Sequence, residues 1–387
     1  MSVTPLRIGM FGGGTVGGGV YEILLRKAGF ASRPVVISHI CVRSLDKPRD
    51  FEIDPSVTTL TTDPDVILKD ESIDCVIEVM GGTTLAKKVV QQSLQHNKAV
   101  VTANKALVAE CFDELHATKH NQTLCYEAAV CGGIPIIQLV QSCYAGDTIR
   151  EIAGIANGTT NYMLSKMEAE GVAYDAVLKE AQDLGYAEAD PTADVEGHDV
   201  RAKIAILAKL AFGQTLVVEQ IPCKGISAIQ EVDFANAKAL GCTIKLIGKA
   251  QLLNDNQVSV YVSPMLLPLT HLLASAKGSG NAIAVTSDNM GLCTYTGPGA
   301  GRFPTANSIV ADVVRVANGT TCCSSIPSAS LELLTDYEAS FYIRTSSEAV
   351  PGIAMDLVSE GYCVTKPCKY SEVQAATSAF FMPLQKD

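Results

Sequence analysis

An aspartate and a lysine four residues apart are the side chains best placed for acid–base chemistry. Asp199 and Lys203 follow an acidic loop that begins at Tyr186. Residues four apart share one face of a helix, and apolar residues within 204–210 predict that this helix has a buried side. A lysine held by an acid can donate a proton to an oxygen that gains negative charge. The alternative is an exposed ion pair without a catalytic role.

A glycine-rich turn near the start of the chain indicates a dinucleotide-binding site. The apolar run 6–11 predicts a buried strand, and a helix is predicted to extend through Arg26. The turn between them fits the G-x-G-x-x-G pattern, which allows a tight turn, close approach to a pyrophosphate and close helix–strand packing. The start of the helix would direct free N–H groups at the phosphates. The predicted cofactor-binding residues of this turn are Gly12, Gly14, Thr15, Val16 and Gly17.

Basic residues after the second predicted strand, 35–42, favour NADP over NAD. NAD-specific domains commonly place an acid here to hold the ribose 2′-OH. This sequence has Arg43, with Lys47 and Arg49 close by. A cationic set suits a 2′-phosphate, and a solvated loop is the alternative.

Strands and helices continue to alternate, which predicts a mostly parallel sheet. Strands are predicted at 74–79, 98–102 and 124–127, with a helix at 85–96. Lys105 follows the carboxyl end of one strand, where it would reach substrate or nicotinamide. A surface lysine at the start of a helix is the alternative.

Beyond about residue 147 the sequence predicts many strands with few helices between them, and hence a largely antiparallel sheet. Val258, Val260 and Val262 alternate with polar residues, which is typical of a half-covered sheet whose open face could meet a partner subunit. In the tail, 341–344 predicts a strand and 350–355 the start of a helix. The predicted strands of the middle region are 149–155, 224–229, 243–252, 257–265, 282–286 and 292–296.

The expected fold is therefore α/β, with a Rossmann-type dinucleotide-binding domain and an α+β catalytic and dimerisation domain. We expect the first domain at 1–130, with 305–335 packing back on it, and the second at 131–304. A small C-terminal segment follows at 339–387.

Composition narrows the function. A net charge of −11 argues against nucleic acid as a partner, since nucleic-acid binding requires a basic surface. No apolar run is long enough to span a bilayer, and the first strand leaves no room for a signal peptide. Thirteen scattered cysteines without a C-x-x-C pair predict reduced thiols in a cytoplasmic enzyme.

Several segments together resemble homoserine dehydrogenase, over nearly the whole chain. They are 12–20 (GGGTVGGGV), 100–107 (VVTANKAL), 127–137 (EAAVCGGIPII), 154–164 (GIANGTTNYML), 180–203, 281–283 (NAI) and 297–301 (GPGAG). The resemblance implies reversible NAD(P)-dependent interconversion of L-homoserine and L-aspartate 4-semialdehyde, in the biosynthesis of threonine, methionine and isoleucine. Each block alone is modest, but their order and spacing make the match specific.

The resemblance also implies roles for individual residues. Lys203 matches the proton donor, Asp199 a substrate-binding acid and Glu188 the residue that holds the substrate's amino group. Lys105 matches a lysine near cofactor and substrate. Tyr186 and Asp194 are further substrate-binding candidates in the same stretch. The glycines expected to line the nicotinamide are Gly185 and Gly301.

A monovalent cation, commonly sodium, is a further cofactor implied by the resemblance. Its ligands would be the carboxylate of Glu127 and the backbone carbonyls of Val130, Gly132 and Ile134. Carboxylate and carbonyl oxygens suit a hard cation.

The resemblance is to a monofunctional enzyme, because no aspartate kinase precedes the dinucleotide domain. The tail at 339–387 is similar to a shortened ACT module and would serve regulation or assembly. A homodimer is expected, with a homotetramer as the alternative.

The sequence leaves two other functions open. An aspartate-semialdehyde or sugar dehydrogenase could share the plan, and the former would need a nucleophilic cysteine, for which Cys131 in its glycine-rich helix start is the candidate. A regulatory protein that has lost turnover is the other, although the acid and lysine set is complete.

Overall fold

The computed structural model describes residues 4–26, 29, 31–118, 120–213, 216–320, 331–345 and 350–385. The chain divides into two compact units. The first unit comprises 1–146, 209–211 and 298–327, and the second comprises 147–208, 212–297 and 328–387. The predicted C-terminal segment therefore belongs to the second unit.

The secondary structure alternates in the first part of the chain and is strand-rich later. The strands are β1 (Leu6–Phe11), β2 (Val35–Cys41), β3 (Thr59–Thr61), β4 (Cys75–Glu78), β5 (Ala99–Thr102), β6 (Leu124–Cys125), β7 (Ile149–Ile155), β8 (Cys242–Asn254), β9 (Gln257–Pro268), β10 (Gly280–Ser287), β11 (Gly291–Pro298), β12 (Glu332–Leu334), β13 (Glu338–Arg344), β14 (Met355–Ser359), β15 (Tyr362–Thr365), β16 (Cys368–Lys369) and β17 (Phe381–Leu384). The α-helices are α1 (Thr15–Arg26), α2 (Asp65–Leu68), α3 (Thr84–Gln95), α4 (Lys105–Ala117), α5 (Ile136–Gln138), α6 (Gly158–Glu170), α7 (Tyr174–Asp183), α8 (Thr192–Val195), α9 (His198–Phe212), α10 (Glu231–Ala239), α11 (Arg302–Ala317) and α12 (Tyr370–Ala376).

The first unit contains a six-stranded parallel sheet in the order β3-β2-β1-β4-β5-β6. This is the order of a Rossmann fold, as expected. Strands β4 and β5 are buried along their whole length, as in a parallel sheet covered on both faces. Helices α1 and α11 pack together, and Gly19 allows close contact because an added Cβ would lie 3.0 Å from Ala306.

The second unit contains an extended, largely antiparallel sheet in the order β11-β10-β7-β8-β9-β17-β13-β15-β14. The antiparallel prediction is confirmed by the pairings of β7 with β8 and β10, and of β8 with β9. The C-terminal strands join this sheet through β17, which runs parallel to β9. The tail is therefore continuous with the main sheet of its unit.

Three local predictions for this half of the chain are wrong. Residues 224–229 form no strand, and the neighbouring Cys223 makes an isolated bridge to Val262. Residues 350–353 form a turn instead of a helix, because Pro351 and Gly352, with φ of 81°, bend the backbone. Strand β9 is almost completely buried on both faces, so it is not half-covered.

Helices are also more abundant here than predicted. The long helices α6, α7, α9 and α10 separate β7 from β8. Of these four, α9 was predicted as the helix that carries Asp199 and Lys203, whereas the strand pattern alone did not reveal α6, α7 and α10.

The described cysteines only partly follow the prediction of reduced thiols. Cys75 and Cys223 are free thiols, whereas Cys125 is disulfide-bonded, which contradicts the prediction at that residue. Within the described ranges, no helix is long and apolar enough to cross a membrane.

Candidate active site

A cavity of about 610 Å³ lies at the carboxyl ends of β1, β2 and β4 in the first unit. This position is the switch point of the sheet, where Rossmann domains bind their ligands. Its lining includes the predicted residues Gly12, Gly14, Thr15 and Arg43. The position and lining of the cavity therefore match those of a dinucleotide site.

The three fingerprint glycines have different local reasons to be glycine. Gly12 has a φ of 112°, and an added Cβ would lie 2.6 Å from the carbonyl oxygen of Val79. An added Cβ on Gly17 would collide with the carbonyl of Gly12, whereas one on Gly14 would meet no atom within 4 Å. Gly12 and Gly17 thus serve the protein's own packing, and Gly14 leaves space for a ligand. Val16 and Gly17 lie on α1 outside the cavity lining.

The basic loop after β2 forms one rim of this cavity. Arg49 donates from its guanidinium to the carbonyls of Ser44 (2.7 Å), Lys47 (3.1 Å) and Leu45 (3.2 Å), so it holds the loop in shape. Arg43 and Lys47 line the cavity, and Arg43 is exposed. Their positive charge is therefore available to an anionic group of a ligand.

Lys105 is the exposed first residue of α4 in the first unit. Asn104 caps this helix by accepting from Leu107 N–H at 3.1 Å and donates to the carbonyl of Gly82 at 2.6 Å. The adjoining Glu78 is fully buried and accepts from the hydroxyl of Thr102 at 2.6 Å. These bonds fix the start of α4 against the end of β4. Gly301, with a φ of 117°, directly precedes α11.

Asp199 and Lys203 form a buried pair on α9 in the second unit. Their carboxylate oxygen and ammonium nitrogen are 2.8 Å apart, and the two residues are only 5% and 8% exposed. Lys203 also donates to the carbonyl of Ala156 at 2.6 Å. The alternative of an exposed surface ion pair is therefore wrong.

Asn157 joins this pair and was not predicted. Its amide nitrogen donates to Asp199 at 2.8 Å and to Asp194 at 2.6 Å, while its oxygen caps α6 by accepting from Thr160 N–H at 2.8 Å. An asparagine before Gly-Thr-Thr is a helix N-cap signal, so the sequence could have placed Asn157. It could not have shown which side chains the amide nitrogen reaches. Asn157, Asp194, Asp199 and Lys203 are called the lysine cluster below.

The other predicted substrate residues are more exposed than the lysine cluster. Tyr186 is 45% exposed, its ring lies 4.9 Å from that of Tyr162, and its carbonyl accepts from the hydroxyl of Thr159 at 2.6 Å. Glu188 is exposed, and its carboxylate has no partner among the described residues. Gly185, with a φ of 77°, is also exposed.

Glu127 lies in the first unit and is only 3% exposed. Its carboxylate accepts from the N–H groups of Ile137 (2.9 Å) and Gln138 (2.8 Å). Burial, and then the nearby carboxylate of Asp312, raise the pKa of Glu127 to about 7. Burial likewise raises the pKa of Asp312 to about 6. A bound cation would relieve this concentration of buried carboxylates.

The backbone after Glu127 bends sharply at two consecutive residues. Cys131 has a φ of 53° and Gly132 a φ of 39°. The other predicted ligands are backbone carbonyls of this bend, and Gly132 O accepts from the hydroxyl of Ser308 at 2.5 Å. An all-oxygen donor set beside a buried carboxylate fits a hard cation. Within the described ranges, no group of three or more His, Cys, Asp or Glu side chains suits a metal ion.

The fold and its polar residues define a class of protein. The first unit has the strand order, the glycine turn and the cavity of a dinucleotide-binding domain. The second carries a buried lysine held by a carboxylate. This combination defines the class of NAD(P)-dependent oxidoreductases.

Comparison with known proteins identifies the family. The profile described as "Homoserine dehydrogenase, NAD binding domain" matches residues 12–127, and the profile described as "Homoserine dehydrogenase" matches 135–314. The chain belongs to the homoserine dehydrogenase family. It catalyses the reversible NAD(P)-dependent interconversion of L-homoserine and L-aspartate 4-semialdehyde.

Individual relatives support the assignment. A homoserine dehydrogenase of Synechocystis sp. is 41% identical over 365 residues, covering 92% of this chain and 82% of the relative. One of Bacillus subtilis is 42% identical over 320 residues, covering 80% and 72%. The crystal structure of a homoserine dehydrogenase from Thiobacillus denitrificans has a TM-score of 0.90 and 33% identity, covering 99% of each chain. These matches overturn the two alternative functions, and Cys131, at 1% exposure, is too buried for a nucleophile.

Proposed function

We propose that Lys203 is the general acid and base of this reaction, with Asp199 orienting its ammonium group. The observation that carries the proposal is the buried 2.8 Å contact between the two side chains. A bound nicotinamide supplies the hydride when the aldehyde is reduced. Negative charge then develops on the aldehyde oxygen, and Lys203 stabilises it and donates a proton. In the oxidation of homoserine the neutral lysine accepts the hydroxyl proton.

The remaining substrate roles follow the family resemblance. We infer that Asp194 and Asp199 face the substrate's polar end, because Asn157 holds both carboxylates at one place. Glu188 is the proposed partner of the substrate's ammonium group, and Tyr186 covers it. Lys105 is the proposed lysine near cofactor and substrate, with Gly185 and Gly301 lining the nicotinamide.

NADP is the proposed preferred cofactor, since Arg43 and Lys47 line the cavity. Replacing Arg43 with alanine is expected to lower kcat/KM for NADP roughly 10- to 100-fold, the worth of hydrogen bonds to a charged group. The value for NAD should change by less than about threefold, because NAD lacks the 2′-phosphate. Homoserine-dependent reduction of NADP and of NAD, followed at 340 nm, measures both and also tests the reaction itself.

A matched control is Arg33→Ala, which removes a part-exposed arginine 3.8 Å from Asp74 and outside the cavity lining. The values of kcat/KM for NADP and for NAD in this variant should equal those of the wild type. Equal losses for NADP and NAD in Arg43→Ala would contradict the 2′-phosphate role. Absence of homoserine turnover in the wild type would contradict the assignment of homoserine oxidation to this protein.

A monovalent cation, sodium in the first instance, is the proposed occupant of the Glu127 bend. Glu127 supplies the carboxylate, and Val130, Gly132 and Ile134 supply carbonyls. Sodium chloride is expected to raise the unfolding temperature above that in choline chloride at equal ionic strength. Sodium at about 100 times its Kd would stabilise by about 2.7 kcal/mol.

Glu127→Gln should abolish the difference between the two salts. Glu78→Gln is the control, because Glu78 is an equally buried carboxylate of the same unit that is held by hydrogen bonds. That variant should keep the sodium effect. An identical response to both salts in the wild type would rule out a cation at this bend.

We further propose the context of the activity. The enzyme would serve the biosynthesis of threonine, methionine and isoleucine, in the cytoplasm and as a homodimer. The homotetramer remains the alternative. An ACT-like role of the tail is supported by the strand order β17-β13-β15-β14 with α12 before the last strand.

A further inference from the structure

Asn281 is a buried amide whose hydrogen-bonding groups are unused. The residue is 1% exposed, and neither its amide nitrogen nor its amide oxygen has a partner among the described residues. A buried polar group without a partner destabilises the folded protein. Such a group persists where a ligand or a bound water satisfies it.

The strand register places Asn281 beside the lysine cluster. Ala282 on β10 pairs with Ile155 on β7 in the antiparallel direction. One further step along both strands sets Asn281 opposite Ala156. The carbonyl of Ala156 accepts from Lys203, and the next residue is Asn157.

Alternation along the strand gives the direction of the side chain. Asn281 and Ile283 point to the same face, and Ile283 lies over Gly154 on that face. Gly154 in turn pairs with Gly248, where an added Cβ would lie 2.7 Å from Val200 of α9. Asn281 therefore points to the face that α9 covers, and α9 is the helix that carries Asp199 and Lys203.

Helix α6 also packs against the chain next to Asn281. Asn161 of α6 donates to the carbonyl of Gly280 at 2.9 Å, and an added Cβ on Gly158 would lie 2.9 Å from the carbonyl of Ser279. The residues before Asn281 thus pack against the first turn of α6, which Asn157 caps. The amide lies among α6, α9 and the end of β7.

The charges of the lysine cluster indicate what the amide of Asn281 would bind. Asp194 and Asp199 supply two carboxylates, and the ammonium group of Lys203 is paired with one of them. The carboxylate of an amino-acid substrate would be repelled by these acids, so it needs a hydrogen-bond donor that is not already paired with them. An amide offers a donor and an acceptor side by side, which complements the adjacent carboxylate and ammonium groups of an α-amino acid.

We propose that Asn281 binds the α-amino-acid end of the substrate, donating from Nδ2 to its carboxylate and accepting at Oδ1 from its ammonium group. The proposal rests on the proposed function of the lysine cluster and adds a residue that determines substrate specificity. It makes Asn281 a ground-state binding residue, distinct from the proton-transferring Lys203.

Asn281→Leu separates this role from a structural one. Replacing an unpartnered buried amide by an apolar group of similar size should leave the unfolding temperature of the ligand-free enzyme unchanged or raise it. KM for homoserine should rise roughly 10- to 100-fold, as expected for hydrogen bonds to charged groups, while kcat and the KM for NADP change little. Asn281→Asp, which preserves shape and adds a repelling charge, should raise the KM for homoserine further.

Substrate analogues sharpen the test. The wild type should use homoserine far better than 4-hydroxybutyrate, which lacks the ammonium group, and 3-amino-1-propanol, which lacks the carboxylate. Asn281→Leu should shrink both preferences. Ser340→Ala is the control, because Ser340 Oγ is also buried without a partner in the described ranges but lies on β13; it should change none of these values.

Two results would overturn the proposal. A lower unfolding temperature with an unchanged KM for homoserine in Asn281→Leu and Asn281→Asp would make the amide a structural group. Unaltered kinetics with an unaltered unfolding temperature would mean that the amide binds only water. Failure of the proposed function is distinguishable, because the wild type would then show no homoserine turnover.

Discussion

Replacing Lys203 with methionine is expected to lower kcat for homoserine oxidation by roughly 10²- to 10⁴-fold, the usual contribution of a positioned general acid or base. Methionine keeps most of the buried volume and removes the ammonium group. That group is the only proton donor in the lysine cluster that also carries positive charge toward a developing oxyanion. KM for homoserine should change much less than kcat.

The variant also leaves Asp199 without its lysine, so stability has to be measured beside rate. Lys249→Met is the matched control, because Lys249 pairs with Glu151 at 2.9 Å and is similarly buried in the same unit. Lys249 follows Gly248 on β8 and so points to the sheet face opposite α9. Steady-state kinetics and thermal unfolding of both variants give the comparison.

If both variants lose the same stability but only Lys203→Met loses kcat, the role of Lys203 is chemical. A kcat within tenfold of the wild type in a folded Lys203→Met enzyme would exclude Lys203 as the general acid. Parallel loss of kcat in both variants would assign the effect to packing.

The dinucleotide-binding half of the chain was predictable because its sequence signals are local. Gly17 is required by its contact with Gly12 within one turn of the chain, and Gly12 by its φ of 112°. The strands of a covered parallel sheet are continuous apolar runs. The observed bounds of β5 and α3 lie within one or two residues of those predicted.

The errors in the second half arise where distant partners decide the backbone. Lys224 N–H bonds to Val262 O, but Ile226 N–H bonds to Val195 O. Gly225 lies so close to the backbone of Val195 that a side chain would not fit. The β-branched residues of 224–229 suggested a strand, yet their backbone groups bond to different elements.

The lysine cluster shows the same limit at the level of function. The spacing of Asp199 and Lys203 placed both on one helix face, but their burial depends on Ala156 and Asn157 at the end of β7. Asn281 is further removed, because only the register of β10 on β7 brings it to this corner. The sequence identifies helix faces and caps, while tertiary packing decides which of them meet.

Asp233→Ala is expected to lower the free energy of unfolding by about 3–5 kcal/mol, the cost of removing one partner from a buried ion pair. Asp233 is fully buried on α10. It accepts from the guanidinium of Arg344 at 2.9 and 2.5 Å and from the hydroxyl of Tyr342 at 2.8 Å. Both donors belong to β13, so this carboxylate fixes the first long strand of the tail to the rest of its unit.

The matched control is Asp288→Ala, which removes an equally bidentate pair at the surface. Arg150 donates to Asp288 twice at 2.7 Å, and both side chains are nearly half exposed. Solvent screens such a pair, so its loss should cost about 0–1 kcal/mol. Denaturant unfolding of both variants measures the difference, and equal costs would contradict the expected effect of burial.

A double variant separates the ion pair from the strand that it holds. Asp233→Ala removes the carboxylate that pairs with Arg344, whose side chain is only 22% exposed. Adding Arg344→Met removes that charge, so the double variant should be less destabilised than the two single costs added together. If the costs instead add fully, then Asp233 stabilises β13 through Tyr342 and the cap of α10 at Gln230, and the anchoring of the tail does not depend on charge.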